Sequence, residues 1–310
     1  MTIATRILAA TDFSPTGDRA LEEGARLARA TGAGFVIVHA VPREPESLRL
    51  IDSSFSRADV QNSLERRARK ALQDRSGESD PEMKIEIHVR TGKPAPAIMK
   101  AAAETEADLV VVGHEGSGVV DRLLLGSVAF SLVRSAPQRV LVVRAPSRPI
   151  RNILVALDLT DFSPVLLAEA VRWARAEGAM VHVLYAWEAA GLAEYTSAMP
   201  SVPGGNIDQV IVDSARTRLQ GLVEEAGASG LTVHTYVRPG AASQEVTELA
   251  DKLDSCMVVI GSHGRQGFSR MFLGNTAERV LRRAQVNVLV LKPSPDAEPA
   301  AEDTDEEWDV

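Results

Sequence analysis

Gly113, Gly116 and Gly126 follow the apolar run Leu109-Val110-Val111-Val112 and precede a helical pattern from Val128 to Arg134. The same spacing returns after Met257-Val258-Val259-Ile260 as Gly261, Gly264 and Gly274, with Asn275 and Thr276 where the first copy has Ser127 and Val128. A strand, a glycine turn and a helix start, in that order, aim backbone N–H groups at a phosphate chain and leave no side chain in its way. On this reading Gly113 and Gly116 take positive φ and bring backbone to the ligand, and Gly126 does the same at the next turn. Ser127 sits at the helix N-cap, where its hydroxyl serves the helix amides or a phosphate oxygen. Leu123-Leu124-Leu125 anchors the loop in the core. The competing reading is structural, with the glycines as tight turns that close the fold. A single Gly-x2-Gly-x9-Gly is weak, whereas its return in register after a strand and before a helix favours the phosphate reading.

Asp12 closes another apolar run, Ile7 to Thr11, and is followed by Phe13-Ser14-Pro15. A carboxylate does not bind phosphate without a cation between them. Asp12 therefore suits a ribose or base as hydrogen-bond acceptor, or else caps the following helix. Asp158 repeats it after Ile153 to Leu157, although Asp161-Phe162-Ser163-Pro164 copies the same string after a three-residue insertion.

The elements that must position these groups recur as well. Arg6 to Asp12 matches Asn152 to Asp158 at an offset of 146, and Val89-Arg90-Thr91-Gly92 matches Val237-Arg238-Pro239-Gly240 at 148. One ancestral unit is used twice, with a seam at Ala145-Pro146-Ser147-Arg148-Pro149. In the first copy the apolar runs at Ile7–Thr11, Phe35–Val38, Ile85–Val89, Leu109–Val112 and Val140–Val143 read as strands, separated by helical patterns at Ala20–Ala28, Ala58–Arg75, Pro96–Thr105 and Val128–Arg134. The second copy gives strands at Ile153–Leu157, Val181–Tyr185, Thr232–Val237, Met257–Ile260 and Val288–Leu291. Strands made of continuous Val, Ile and Leu, alternating with helices, predict an α/β fold with a parallel sheet covered on both faces. Its ligands sit at the carboxyl ends of the strands. The stretch from Gly191 to Ile207, with two prolines and two adjacent glycines, reads equally as a mobile cover or a plain connection.

Composition narrows the classes. The net charge of −8 arises from residues 295–310, which hold eight carboxylates and no Lys or Arg, so the body is neutral and no basic surface for nucleic acid or anionic membrane is expected. No apolar run spans a bilayer, and the first residues lack the pattern of a secretory signal, so a cytoplasmic protein with no membrane segment is expected. The single cysteine, Cys256, beside a buried run, reads as a structural thiol. His39, His88, His182 and His234 fall in strand patterns, and His114 and His263 take different offsets in the two ladders, so no shared catalytic base emerges. No zinc spacing and no P-loop is present, and 4% aromatic residues do not make a stacking platform.

Across residues 3–293 the chain resembles the universal stress protein family in its tandem two-domain form. Asp12, Asp158, the two ladders with Gly126-Ser127, and the closing runs Val140 to Arg144 and Val288 to Lys292 carry that resemblance. It implies two Rossmann-like (adenine nucleotide alpha hydrolase-like) domains, residues 1–146 and 147–294, before an acidic disordered tail at 295–310. Each has a five-stranded parallel sheet of order 3-2-1-4-5 with helices on both faces. It implies ATP, with Asp12 at the nucleoside, the backbone near Ala40 and Val41 at the adenine, and Gly113, Gly116, Gly126, Ser127 and Val128 at the phosphates. Asp158, Gly261, Gly264, Gly274, Asn275 and Thr276 stand in those roles in the second copy. Asn275 departs from the Ser or Thr expected after the third glycine, which makes the second site the less secure one; if the chain holds one nucleotide, it is expected at Ser127. The resemblance also implies that Val140–Val143 and Val288–Leu291 pair within the chain, and it leaves a further homodimer open. The expected function is an ATP-binding stress-response regulator with an unknown protein partner and little turnover. Two alternatives stand beside it: a slow ATP hydrolase or phosphotransferase holding Mg2+ through phosphate and Ser127, and a scaffold that binds no nucleotide.

Overall fold

The computed structural model describes residues 2–41, 57–77, 84–115, 125–188, 207–253, 256–262 and 273–293. Gly116, Gly264, Leu123, Leu124, His263, residues 42–56, most of the 191–207 stretch and the acidic tail lie outside them. The first half runs β1 (Arg6–Ala10), α1 (Pro15–Thr31), β2 (Gly34–Val41), α2 (Arg57–Gly77), β3 (Ile85–Thr91), α3 (Pro94–Glu104), β4 (Leu109–Gly113), α4 (Ser127–Ser135) and β5 (Arg139–Val143). The second half runs β6 (Asn152–Leu157), α5 (Ser163–Glu177), β7 (Met180–Trp187), α6 (Ile207–Glu225), β8 (Val233–Pro239), α7 (Ala242–Lys252), β9 (Cys256–Gly261), α8 (Asn275–Arg283) and β10 (Asn287–Leu291).

All ten of these strands lie in one sheet, in the order β3-β2-β1-β4-β5-β10-β9-β6-β7-β8. Each half has the order 3-2-1-4-5, and its strands are parallel. The halves meet where β5 and β10 pair antiparallel, Val140 opposite Val290, Leu141 opposite Leu289 and Val142 opposite Val288. The carboxyl ends of the first half's strands therefore lie on one edge of the sheet, and those of the second half on the opposite edge.

Continuous apolar strands require cover on both faces, and the burial is consistent with that. One core joins Ile7, Phe35, Val111 and Leu141 to Ile153, Val155, Trp173 and Leu289 beneath α1 and α5. The other joins Val36, Val110, Leu132 and Val142 to Leu154, Val258, Leu281 and Val288 beneath α3, α4, α7 and α8. Both cores run unbroken through the seam. The helix ends follow local chemistry. Ser14 caps α1 by accepting from the Gly17 amide at 3.1 Å, with Pro15 in the first turn, and Gly32 ends it in the left-handed conformation at φ 69°. Gly178, at φ 68°, ends α5 in the same way.

Charged side chains tie the halves together beside the seam. Arg26 on α1 donates to both oxygens of Glu177 on α5, at 2.9 and 3.0 Å, and to Glu23. Arg139, which opens β5, donates to the Ile3 carbonyl and to Glu169 on α5, at 2.7 and 2.6 Å. Glu169 is 2% exposed and accepts from the Trp173 indole as well, so its charge is paired and hydrogen-bonded.

Candidate functional site

At the carboxyl end of β1 the chain turns sharply. Asp12 Oδ1 accepts the Ser14 amide at 3.1 Å and the Ser14 hydroxyl, so the carboxylate organises the turn while Ser14 caps the helix. The alternative in which Asp12 itself caps α1 is thereby ruled out. Phe13, between them, takes φ 64° although it has a bulky side chain. Its ring lies 4.3 Å from that of His39, which bonds to the Thr11 carbonyl at 2.8 Å.

The second half repeats the arrangement. Asp158 Oδ1 accepts the Thr160 amide and hydroxyl at 3.2 and 2.6 Å, and Leu159 takes φ 62°. Ala10 opposite Val38 and Ala156 opposite Leu184 occupy the same register, so Asp158, rather than Asp161, is the counterpart of Asp12. A non-glycine residue at positive φ is strained, and the strain recurs at the same position in both halves.

Gly113 ends β4 on the strand next to β1, and its role differs from the expected one. It is not among the positive-φ glycines; a Cβ there would lie 2.6 Å from the Thr16 carbonyl oxygen and 2.7 Å from its carbon. Glycine is needed because the start of α1 approaches the end of β4 closely. The Thr16 hydroxyl then donates to the Glu115 carbonyl at 2.7 Å, joining the Asp12 turn to the ladder. Two segments about 100 residues apart thus meet at one edge.

The far end of the ladder folds back onto its beginning. The Gly126 amide donates to the His114 carbonyl at 2.7 Å, and the Gly274 amide donates to the Ser262 carbonyl at 2.8 Å. Gly126 lies at φ −58°, ψ 144° and Gly274 at φ −62°, ψ 145°, so both are extended N-caps and neither takes positive φ. Ser127 is consequently the first residue of α4 rather than its cap. As glycines, the N-caps of α4 and α8 have no side chain to offer, and the first intrahelical bonds run from Phe130 to Gly126 and from Glu278 to Gly274. The amides of Ser127, Val128 and Ala129, and those of Asn275, Thr276 and Ala277, precede those bonds. Ser127, Asn275 and Thr276 are exposed. At the edge of β2, the Val41 carbonyl accepts the Gly92 amide at 2.9 Å, and Ala40 lies within the strand opposite Arg90.

Directly after Gly113 sits a buried group of ionisable side chains that the sequence did not reveal. His114 is 8% exposed, and burial together with the nearby Arg144 guanidinium holds its pKa below the usual histidine value. Its Nε2 lies 3.0 Å from Glu115 Oε1. Arg144 is itself 6% exposed, and burial lowers its pKa. Phe13, Thr16 and His39 also shape this edge through their contacts. The string Asp12 to Gly17 held the available signal, since Gly17 is small where a Cβ would meet Asp12 Oδ1 at 2.8 Å.

Comparison with known proteins identifies the family and the fold. A model of the universal stress protein family matches residues 4–144 and again 149–292. Universal stress proteins of Mycobacterium tuberculosis and Mycolicibacterium smegmatis are 27% identical over 316 and 300 residues, covering 95% and 93% of the chain and 97% of each relative. Among solved structures, a universal stress protein of Archaeoglobus fulgidus shares the fold with a TM-score of 0.68 at 19% identity, over 93% of this chain and 98% of that one.

Proposed function

The chain belongs to the universal stress protein family, and from that premise we propose that it is a cytoplasmic regulatory protein that binds ATP at the start of α4 with little turnover. The observation that carries this reading is the first turn of α4, with a glycine at its N-cap and Ser127 exposed, latched to the end of β4 by the Gly126–His114 bond and set beside the Asp12 turn by Thr16. Helix-start amides that precede the first intrahelical bond suit an anion with several oxygens, so the donor set fits a phosphate chain. Ser127, Val128 and Ala129 would present backbone N–H groups to the phosphates, with the Ser127 hydroxyl beside them. The Asp12 turn would face the nucleoside, and the strand end at Ala40 and Val41 the base. Among the described residues no group of three or more His, Cys, Asp or Glu could hold a metal, so Mg2+ would enter on the phosphates, with Ser127 as its protein neighbour. When bound, ATP would supply the negative charge that completes the α4 amides.

The second ladder is the weaker site. Asn275 stands where the first copy has Ser127, and the first turn of α8 carries Glu278, paired with Arg282 at 2.7 Å, whereas that of α4 has no acidic residue. We therefore assign one nucleotide per chain, at Ser127. Nucleotide extracted from the purified full chain and identified by mass tests the reading. An adenine nucleotide is expected; a chain that carries none and takes up none from added ATP contradicts it.

A further inference from the structure

Each half places one cation on the other half's cradle helix. Arg144 directly follows β5, and Lys292 directly follows β10, at the equivalent position 148 residues later. Because β5 and β10 are antiparallel, each cation emerges at the edge where the other half's helix ends. Arg144 donates from one guanidinium nitrogen to the Leu281 and Arg282 carbonyls, at 2.6 and 3.2 Å, in the last turn of α8. Lys292 Nζ donates to the Ala136 carbonyl at 2.6 Å, the C-cap of α4. Neither contact lies on the strand pairing itself, and both cross the seam.

The geometry points to Lys292 as a positioning residue for the first cradle, fixing from the second half the carboxyl end of the helix whose amino end holds the nucleotide, with Arg144 in the reciprocal role for α8. The inference rests on the nucleotide reading of Ser127. α4 has nine residues, and at about 1.5 Å per residue its ends are only about 13 Å apart. A helix this short has two anchors besides its apolar face of Ala129, Leu132 and Val133: the Gly126 latch at one end and Lys292 at the other. The field at each helix end fades within about one turn, so the coupling runs through the helix itself: α4 frayed at its carboxyl end by loss of Lys292 presents its amino end less well to the phosphates. Lys292 also lies beside the second ladder, because the Ser262 amide donates to Leu291, the residue before it, at 2.8 Å. The start of one ladder is thus connected to the cradle of the other through β10, Lys292 and α4.

The test uses the full chain with labelled ATP in equilibrium dialysis, alongside amide hydrogen exchange without nucleotide at Phe130 and Ala136, whose amides donate to the Gly126 and Leu132 carbonyls of α4. Lys292→Met should weaken ATP binding about tenfold and speed exchange at those amides, while Lys292→Arg stays within about threefold of the wild type. If Lys292→Met does not fold, Lys292→Gln, which keeps a donor and loses the charge, is measured in its place. Binding and exchange equal to wild type in the neutral variant overturn the inference, as does a Lys292→Arg protein as weak as the neutral one. A wild type that binds no ATP counts against the nucleotide reading instead; the exchange arm still decides the role of Lys292.

Discussion

Gly113 shows how one atom shapes the site. Its missing Cβ lets the backbone of Thr16 sit against the end of β4, and the Thr16–Glu115 bond then joins the Asp12 turn to the ladder. Alanine at 113 must displace backbone rather than the tip of a flexible side chain. Gly113→Ala should therefore cost about 1–3 kcal/mol of stability, the usual range for overpacking, read from the midpoint of urea unfolding. An unchanged midpoint would mean that the close approach is not maintained in solution. The sequence marks Gly113 as special for the wrong reason. Its spacing reads as a need for positive φ, but the requirement is set by a contact with a residue almost 100 positions away, which no local pattern encodes. The left-handed Phe13 and Leu159 were hidden for a related reason, since bulky residues are the last to be expected at φ above 60°.

At the scale of elements, most of the architecture was legible. Runs such as Leu109 to Val112 and Val288 to Leu291 are fully apolar because they are buried on both faces, and they became β4 and β10 with small changes at their ends. Ser14-Pro15 and Gly32 bounded α1 as their chemistry requires. The sequence pattern starts α4 one residue late, with Ser127 as cap, because serine is the commoner N-cap; the latch to His114 instead gives that position to Gly126. That shift makes a clean substitution possible. Proline is favoured at the first helical residue, where its missing N–H breaks no intrahelical bond, and it requires an extended residue before it. Gly126, at φ −58° and ψ 144°, meets that requirement. Ser127→Pro therefore removes an amide and a hydroxyl from the cradle and leaves α4 intact. The same holds for Asn275→Pro after Gly274.

At the scale of the molecule, two copies of one unit form a single sheet, and the two cores pass through the β5–β10 seam. Leu141 and Leu289 face each other there and both are fully buried. Leu289→Ala should destabilise the chain by about 2–5 kcal/mol. Calorimetry should show one transition that shifts as a whole, because the core belongs to both halves. A profile in which one half melts early while the other keeps its wild-type temperature would contradict the shared core. Strand pairing across the seam was foreseen through the family resemblance, whereas the exchange of Arg144 and Lys292 was not. A long cation after a strand reads as ordinary surface until the antiparallel junction brings it onto a helix end.

The central claim is that the first turn of α4 holds the phosphates of ATP. Equilibrium dialysis of the full chain against labelled ATP, comparing wild type, Ser127→Pro and Asn275→Pro, tests it most directly. The account predicts one site per chain, weakened about tenfold to hundredfold by Ser127→Pro, since hydrogen bonds to a charged group are worth about 1.5–3 kcal/mol each. Asn275→Pro should leave it near wild type. Undiminished binding in a folded Ser127→Pro protein, or a loss confined to Asn275→Pro, would contradict it.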